Sequence, residues 1–265
     1  MNSDSNLCVP RISESFIDAV VATIGGRRLS DDEIEACAGQ NADYLFPDAV
    51  AELKIFEEDG LEKTARQEKI AKALSEHFIL PAELDLNLKT LDPRARPIVK
   101  EILREPIAKR VRKAAAQIKN TKRALDLHLL SGILIAVNNG YSSLQADEFE
   151  NLVLTCMRRD TSQVDFALCV TVSHHSGGFD YYTLCRVQGH PNSAGLKVPH
   201  ESSFTSAVSE LFNQRMTEMM QRAMTDEFSI EQHLPPVVSI NFEAAGVSYV
   251  RHAPNVPDSR FEESG

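Results

Sequence analysis

The segment NADYLFPDAVAELK, residues 41–54, places two acids and a lysine beside two short apolar runs. Asp43 precedes the first run, whereas Glu52 and Lys54 follow Ala and Val in the second. Carboxylates that lie close together suit Mg²⁺, which binds a few carboxylate oxygens together with water and phosphate oxygens. Such an ion lowers the pKa of bound water and neutralises charge on a phosphate. A neighbouring lysine can orient or deprotonate the attacking water, so these residue types suit metal-assisted phosphodiester hydrolysis.

The spacing also predicts how these side chains meet. Residues 41–56 are typical of a β-hairpin, and the tetrapeptide 46–49 suits a type I turn with proline at its second position. If the first and last turn residues pair, Asp43 lies opposite Glu52 with Cβ atoms roughly 5 Å apart. Lys54 then shares the face of Glu52. Because proline cannot take the positive φ of the preferred hairpin turns, a slipped register or a longer loop stays open. Facing carboxylates destabilise a ladder unless a cation offsets them.

This arrangement resembles the PD-(D/E)xK nuclease superfamily, also called the restriction-endonuclease-like fold. Asp43 matches the lone acid, and Glu52-Leu53-Lys54 matches the second half of the motif. The resemblance implies that Asp43 and Glu52 bind Mg²⁺ (or Mn²⁺) and that Lys54 is the catalytic lysine. Asp48, in the literal Pro-Asp pair of the turn, is the alternative for the acid.

The same resemblance suggests two further residues and one departure. Many members add a glutamate from the first helix, for which Glu14 is the candidate metal ligand here. Several members place a polar residue on the helix after the Glu-x-Lys strand. Gln67 is that candidate catalytic residue, because it shares a helical stripe with apolar positions and should point toward the sheet. The family core usually has a strand between the first helix and the acid-bearing strand, whereas residues 26–40 here predict a helix, with a capping box at Ser30 and Glu33.

The charge distribution is strongly uneven. The chain has a net charge of −10, yet residues 94–123 contain eleven Lys or Arg and two acids, which gives this segment +9. Such asymmetry indicates a polyanionic partner. With the resemblance to nucleases, the expected partner is nucleic acid, double-stranded DNA rather than RNA. The alternative is a solvated helix whose charge only maintains solubility. The candidate nucleic-acid-binding residues are Lys109, Arg110, Arg112, Lys113, Lys119, Lys122 and Arg123.

The predicted fold is α/β, a mixed sheet flanked by helices, with a restriction-endonuclease-like core and a basic helical insertion. Helices are expected near 13–24, 30–39, 64–78, 96–127 (broken or kinked at Pro106), 143–159 and 203–224. Strands are expected within 41–56, 130–140, 163–173, 180–188, 236–242 and 246–251, with 80–93 as a loop. We predict one domain over 1–253, with the core motif in 12–80, the basic helical segment in 92–126, the remaining sheet and helices in 128–251, and a disordered tail at 254–265.

Composition excludes several classes and leaves alternatives. No apolar run reaches the ~18 residues needed to span a bilayer, and the first residues lack the pattern of a signal peptide. Five scattered cysteines indicate reduced thiols, so a cytoplasmic protein without a membrane partner is expected. Apolar positions in 203–224 predict either core or a homo-oligomer face. Besides an endonuclease or other nuclease, two interpretations stay open: a catalytically inactive nucleic-acid-binding module, and a structural or interaction protein of a larger assembly.

Overall fold

The computed structural model describes residues 12–57, 60–139, 144–176, 181–225 and 239–252. Its strands are β1 (Arg27–Arg28), β2 (Tyr44–Leu45), β3 (Ala49–Phe56), β4 (Glu83–Asp85), β5 (Ser131–Asn138), β6 (Phe166–Ser176), β7 (Tyr181–Pro191), β8 (Ser239–Ala244) and β9 (Val247–His252). Six of them form a mixed sheet in the order β1-β2-β3-β5-β6-β7. Strands β3, β5 and β6 are parallel to one another, whereas β2 and β7 pair antiparallel with this central group.

The helices cover both faces of this sheet. They are α1 (Glu14–Thr23), α2 (Asp31–Ala36), α3 (Thr64–Ser75), α4 (Arg96–Ala124), α5 (Ala146–Asp160) and α6 (Glu201–Thr225). The buried residues of α3, α4 and α5 belong to one apolar cluster and those of α1 and α6 to another, on opposite faces of the sheet. The prediction of a mixed α/β fold is therefore confirmed. Phe204, Val208 and Phe212 of α6 lie in the chain's own core.

Alternation along β3 decides which layer each of its side chains meets. Ala51 and Leu53 face the cluster that contains α1 and α6, whereas Val50 and Phe56 face the cluster that contains α4. Successive side chains of a strand point to opposite faces, so the even-numbered positions between Val50 and Phe56 also face α4. Position 52 and position 54 therefore point toward the longest helix of the described chain.

The predicted loop at 80–93 is wrong in part, because it contains strand β4. This strand runs parallel to β9 in a second sheet of three strands, in the order β4-β9-β8. The N–H of Leu86 donates to the carbonyl of Val250 at 2.8 Å, and that of Ser248 donates to Ala82 at 2.9 Å. The partner strand lies more than 160 residues away along the chain, so local sequence does not reveal it.

The predicted break at Pro106 is also wrong, since α4 is one helix of 29 residues through that position. Proline removes one backbone hydrogen bond and crowds the preceding turn. The buried stripe on both sides of Pro106, which includes Leu103, Ile107 and Val111, packs this helix into the core. Tertiary packing of this stripe offsets the local cost.

Residues 26–40 contain helix α2, as predicted, and also the two-residue strand β1. Ser30 and Glu33 form the expected capping box. Arg27 pairs with Leu45 and so adds β1 to the edge of the sheet. A side chain at Gly26 would meet the Phe46 ring at 2.5 Å, so only glycine fits where the chain leaves α1.

Two further predictions concern the chain as a whole. The four described cysteines are free thiols, as expected. In the described ranges no helix is long and apolar enough to cross a bilayer. The predicted tail at 254–265 lies outside the described residues.

Candidate functional site

The predicted hairpin register is confirmed, although β2 is shorter than expected. Tyr44 pairs with Ala51 and Leu45 pairs with Val50. The N–H of Phe46 donates to the carbonyl of Ala49 at 2.8 Å. The ladder between β2 and β3 ends at Tyr44 and Ala51, one residue before the predicted pair of Asp43 and Glu52.

Asp43 is held beside β3 by its side chain as well as its backbone. Its carboxylate Oδ2 accepts the N–H of Leu53 at 2.8 Å, which occupies a donor on the edge of β3 that β2 no longer pairs. Its backbone N–H donates to Ala51 at 3.1 Å, and its carbonyl accepts from Leu29 at 3.1 Å. The Asp43 carboxylate is therefore fixed beside Leu53, close enough to Glu52 for its charge to raise the pKa of that carboxyl.

Glu52 is a buried carboxylate next to a like charge. Its side chain is 1% exposed, and Lys54 Nζ donates to Oε1. The other oxygen, Oε2, is buried and accepts no hydrogen bond from the described residues. Burial, and after it the charge of Asp43, raise the pKa of Glu52, Lys54 opposes both, and the pKa that results is about 8. Near neutral pH this carboxyl retains a proton, and a divalent cation could take the place of that proton.

Lys54 has a second partner that the sequence did not reveal. Its Nζ donates to Gln117 Oε1 at 3.0 Å, and Gln117 Nε2 donates to the carbonyl of Asn41 at 2.8 Å. Gln117 lies on α4, 63 residues from Lys54. The sequence signal was a polar residue between buried positions of a helix, but its partner depends on how α4 packs on β3.

Helix α4 also holds the loop that leads into β2. Asn120 Nδ2 donates to the carbonyls of Cys37 and Gln40 at 2.7 and 2.8 Å. Thr121 Oγ1 accepts the N–H of Ala42 at 2.8 Å. These bonds fix the segment immediately before Asp43. Helix α4 therefore positions both Asp43 and Lys54.

Three other candidates lie elsewhere. Glu14 forms an ion pair with Arg28, and α1 packs on the opposite face of the sheet from Glu52. Gln67 donates to the carbonyl of Leu61 at 2.7 Å, not to Asp43 or Glu52. Asp48 Oδ1 contacts the Nε2 of His200 at 2.7 Å, at the start of α6. The structure therefore brings together Asp43, Glu52 and Lys54, which we call the acidic cluster. It does not bring Glu14, Gln67 or Asp48 to them.

Most of the predicted basic residues form an exposed surface on α4. We call this the basic stripe; it consists of Lys109, Arg110, Arg112, Lys113, Lys119 and Arg123. The seventh candidate, Lys122, differs because its side chain is only 12% exposed and lies 3.7 Å from Asp165. Burial lowers the pKa of Lys122.

The basic stripe begins beside the acidic cluster. Arg110 lies over the ring of Phe56 at 5.1 Å, and its Nη1 donates to the carbonyl of Ile55. Lys113 is three residues after Arg110 and four before Gln117, so these three side chains are neighbours on one surface of α4. Exposed cations therefore extend from the lysine of the cluster along the helix.

The three side chains Asp43, Glu52 and Lys54 are largely closed to solvent. Lys54 keeps 13% of its side chain exposed and Asp43 is partly buried, so solvent reaches the cluster at these two residues. A surface groove between β7 and the start of α6 includes Leu196, Lys197 and Glu201 but none of the candidate site residues.

A metal would have two carboxylates here. Among the described residues no group of three or more His, Cys, Asp or Glu side chains could hold a metal ion. Mg²⁺ commonly binds through one or two carboxylates and completes its shell with water and substrate phosphates. The pair of Asp43 and Glu52, with one buried oxygen that accepts no bond, is compatible with that mode.

The comparisons with known proteins add no assignment. No protein-family model, curated protein or solved structure matches this chain.

Proposed function

We propose that this protein is a Mg²⁺- or Mn²⁺-dependent nuclease that hydrolyses phosphodiester bonds, with double-stranded DNA as the favoured substrate. The observation that carries the proposal is the meeting of Asp43 and Glu52 across the hairpin, with Lys54 on the same face. A likeness to PD-(D/E)xK nucleases supports it. The short strand β1, which lies between α1 and the acid-bearing hairpin, agrees with the core of that family.

Each member of the cluster has a distinct role in this proposal. Asp43 and Glu52 would hold the metal ion, which when bound lowers the pKa of its water and neutralises charge on the phosphate. The hydrogen bond from Leu53 fixes the direction of the Asp43 carboxylate. Lys54 would contact the attacking water or the phosphoryl oxygens, where an ordered donor stabilises developing charge.

The basic stripe supports a nucleic-acid substrate. Its six exposed cations lie along one helix, beside the cluster and on a protein whose net charge is −10. Contacts of Lys and Arg with phosphates position a duplex without reading its bases. Such a surface would bring the backbone to Lys54, while sequence preference would need other contacts.

A binding module without turnover is the second candidate. The observation in its favour is that the acidic cluster is closed. Lys54 is bonded to Glu52, and only 13% of its side chain is exposed to solvent. A structural or interaction subunit of an assembly would need neither metal nor nucleic acid. A nuclease therefore requires metal, nucleic acid and cleavage together. A binding module requires nucleic acid without cleavage, and a structural subunit requires none of the three.

The deciding experiment is a cleavage assay on duplex DNA, single-stranded DNA and RNA with Mg²⁺ or Mn²⁺. Chelation by EDTA should stop cleavage. Lys54→Ala should lower the rate ~10²–10³-fold with metal still bound, because it removes a contact made in the transition state. Glu52→Gln should fail through weakened metal binding, which isothermal calorimetry with Mn²⁺ measures. Equal rates for the parent and both variants would contradict the proposal, and a parent that binds DNA without cutting any substrate would favour the binding module.

The basic stripe provides an arm of the same assay. Replacing Lys109, Arg110, Arg112 and Lys113 by Ala should weaken DNA binding and flatten its salt dependence, whose slope is about −0.9 per phosphate neutralised. The matched control replaces four exposed cations outside α4, namely Lys63, Lys72, Arg158 and Lys197. A control that loses as much salt dependence would assign binding to overall charge rather than to this surface.

A further inference from the structure

We propose that Gln117 is a positioning residue that holds Lys54 and couples it to the loop bearing Asp43. The inference rests on the proposed function, because it assigns Lys54 a part in turnover. It adds a residue of the basic helix that the sequence motif does not contain, and it replaces Gln67, whose amide is bonded to Leu61 instead.

The hydrogen-bond network determines how the Gln117 amide is oriented. Its oxygen faces the ammonium of Lys54 at 3.0 Å, and an ammonium can only donate. Its nitrogen faces the carbonyl of Asn41 at 2.8 Å, and a carbonyl can only accept. A flipped amide would lose both bonds, so the side chain has one orientation that satisfies both neighbours.

A second acceptor changes what Lys54 can do. A lysine has a long flexible stem, and its ordering costs side-chain entropy. With Glu52 as its one partner, the ammonium would follow that carboxylate and compete with a metal for it. Gln117 supplies a neutral acceptor from α4, the helix that Lys54 faces. This acceptor keeps Nζ in place when Glu52 binds another cation. Buried neighbours Ala114 and Ile118 fix this part of α4.

The same amide connects the two halves of the cluster. Asn41 precedes Asp43 by two residues, and its carbonyl is bonded to Gln117. Asn120 holds the same loop through the carbonyls of Cys37 and Gln40 and accepts a bond from Arg123 at 2.9 Å, and within the described ranges it is not bonded to Lys54. Asn120 is therefore a matched control, since it stabilises the loop without a bond to the lysine.

The test is a double-mutant cycle in the cleavage assay. Gln117→Met should lower kcat roughly 10- to 100-fold with little change in KM, because a misplaced catalytic group lowers turnover. Gln117→Glu, which keeps an oxygen for Lys54, should recover part of that loss. In a Lys54→Ala background Gln117→Met should lose a clearly smaller factor than in the parent, since the part of its effect that acts through Lys54 is then absent and only the part through the Asp43 loop remains. Asn120→Leu should reduce the rate by the same factor in both backgrounds.

The outcomes separate this inference from the proposed function. Parental kcat in Gln117→Met, alongside a severely impaired Lys54→Ala, would overturn the positioning role and leave the nuclease intact. A loss that multiplies with Lys54→Ala would also overturn it, because Gln117 would then act independently. Equal cleavage by the parent and Lys54→Ala would instead reject the proposed function.

Amide hydrogen exchange tests the coupling without any activity. The Leu53 N–H is bonded to the Asp43 carboxylate, so its exchange reports how well Asp43 is held. Gln117→Met should speed exchange at Leu53 by about tenfold or more, while amides of β6 remain unchanged. Parental exchange at Leu53 in this variant would show that Gln117 does not hold the loop, and would overturn the inference even if no substrate is cut.

Discussion

Glu52 and Glu148 are both buried glutamates, but their neighbours differ. Glu148 lies 2.7 Å from Arg251, whose Nη1 also donates to the carbonyl of Leu86 at 2.7 Å. The same carboxylate accepts the N–H of Gln145 and so closes a capping box on α5. The contacts of Glu148 therefore begin α5 and join it to β9. Glu52 instead faces a second carboxylate, Asp43, with one lysine to offset two acids.

The second carboxylate, and not an unpartnered oxygen, distinguishes the two regions. Glu52 Oε2 and Glu148 Oε1 are both buried without a hydrogen-bond partner among the described residues. A buried carboxylate next to arginine is a common device for joining elements, and the permanent charge of arginine neutralises it. Two ionised carboxylates close to each other repel, and a single lysine offsets two acids here. The arrangement is understandable if a cation belongs between them.

The largest expected effect is on the free energy of unfolding when the ion pair between Arg251 and Glu148 is broken. Arg251→Met leaves Glu148 buried without its cation, which commonly costs about 3–5 kcal/mol. Glu52→Gln should cost less than ~1 kcal/mol, because the amide keeps an acceptor for Lys54 and removes the repulsion from Asp43. Urea unfolding of both variants at pH 8 without metal measures the difference. A Glu52→Gln variant as unstable as Arg251→Met would show that Glu52 is a structural ion-pair partner of Lys54.

The next effect is a pH dependence that should belong to Glu52. Its pKa is about 8 in the folded protein against 4.5 for an ordinary glutamate. Between these values the folded state holds a proton that the unfolded state has lost. The contribution is therefore fully present below about pH 4.5, falls as pH rises, and is lost above about pH 8, by on the order of a few kcal/mol. The free energy of unfolding of Glu52→Gln minus that of the parent should rise across this window.

Glu33 provides a control of opposite sign. Its hydrogen bond to Arg27 holds the pKa of its carboxyl near 2, below the ordinary 4.5. The stabilisation from Glu33 is present above pH 4.5 and is lost as pH falls toward 2. Glu33→Gln should therefore leave the profile between pH 5 and 8 parallel to that of the parent. A parent-like profile for Glu52→Gln in that window would remove the basis for a buried protonated carboxyl.

Sequence alone predicted the local part of this comparison well. Alternating side chains and the turn at 46–49 determine the hairpin register, so Asp43 could be placed opposite Glu52 without coordinates. The capping box at Ser30 and the apolar stripe of α1 are local signals too. Each depends on residues within a few positions of one another.

The parts that failed depend on distant partners. Strand β4 exists because β9 pairs with it, and α4 continues through Pro106 because its apolar stripe is packed. Gln117 could not be linked to Lys54 from sequence, since that contact requires knowing which face of α4 meets β3. Glu14 was predicted as a metal ligand because it lies on the first helix. In the structure α1 packs on the face of the sheet opposite to Glu52, and Glu14 pairs with Arg28.

The smallest expected effect is the stabilisation by a bound metal, and it tests the comparison most directly. A ligand that binds only the folded state stabilises it by RT ln(1 + [L]/Kd), which is ~1.4 kcal/mol at ten times Kd. Mg²⁺ should raise the thermal midpoint of the parent, and more at pH 8 than at pH 6, because the ion must displace the proton of Glu52. Glu52→Gln should lose this shift, whereas Arg251→Met, though less stable, should keep it. Controls at matched ionic strength with NaCl separate binding from screening. An equal Mg²⁺ shift in the parent and Glu52→Gln would place any cation away from Asp43 and Glu52.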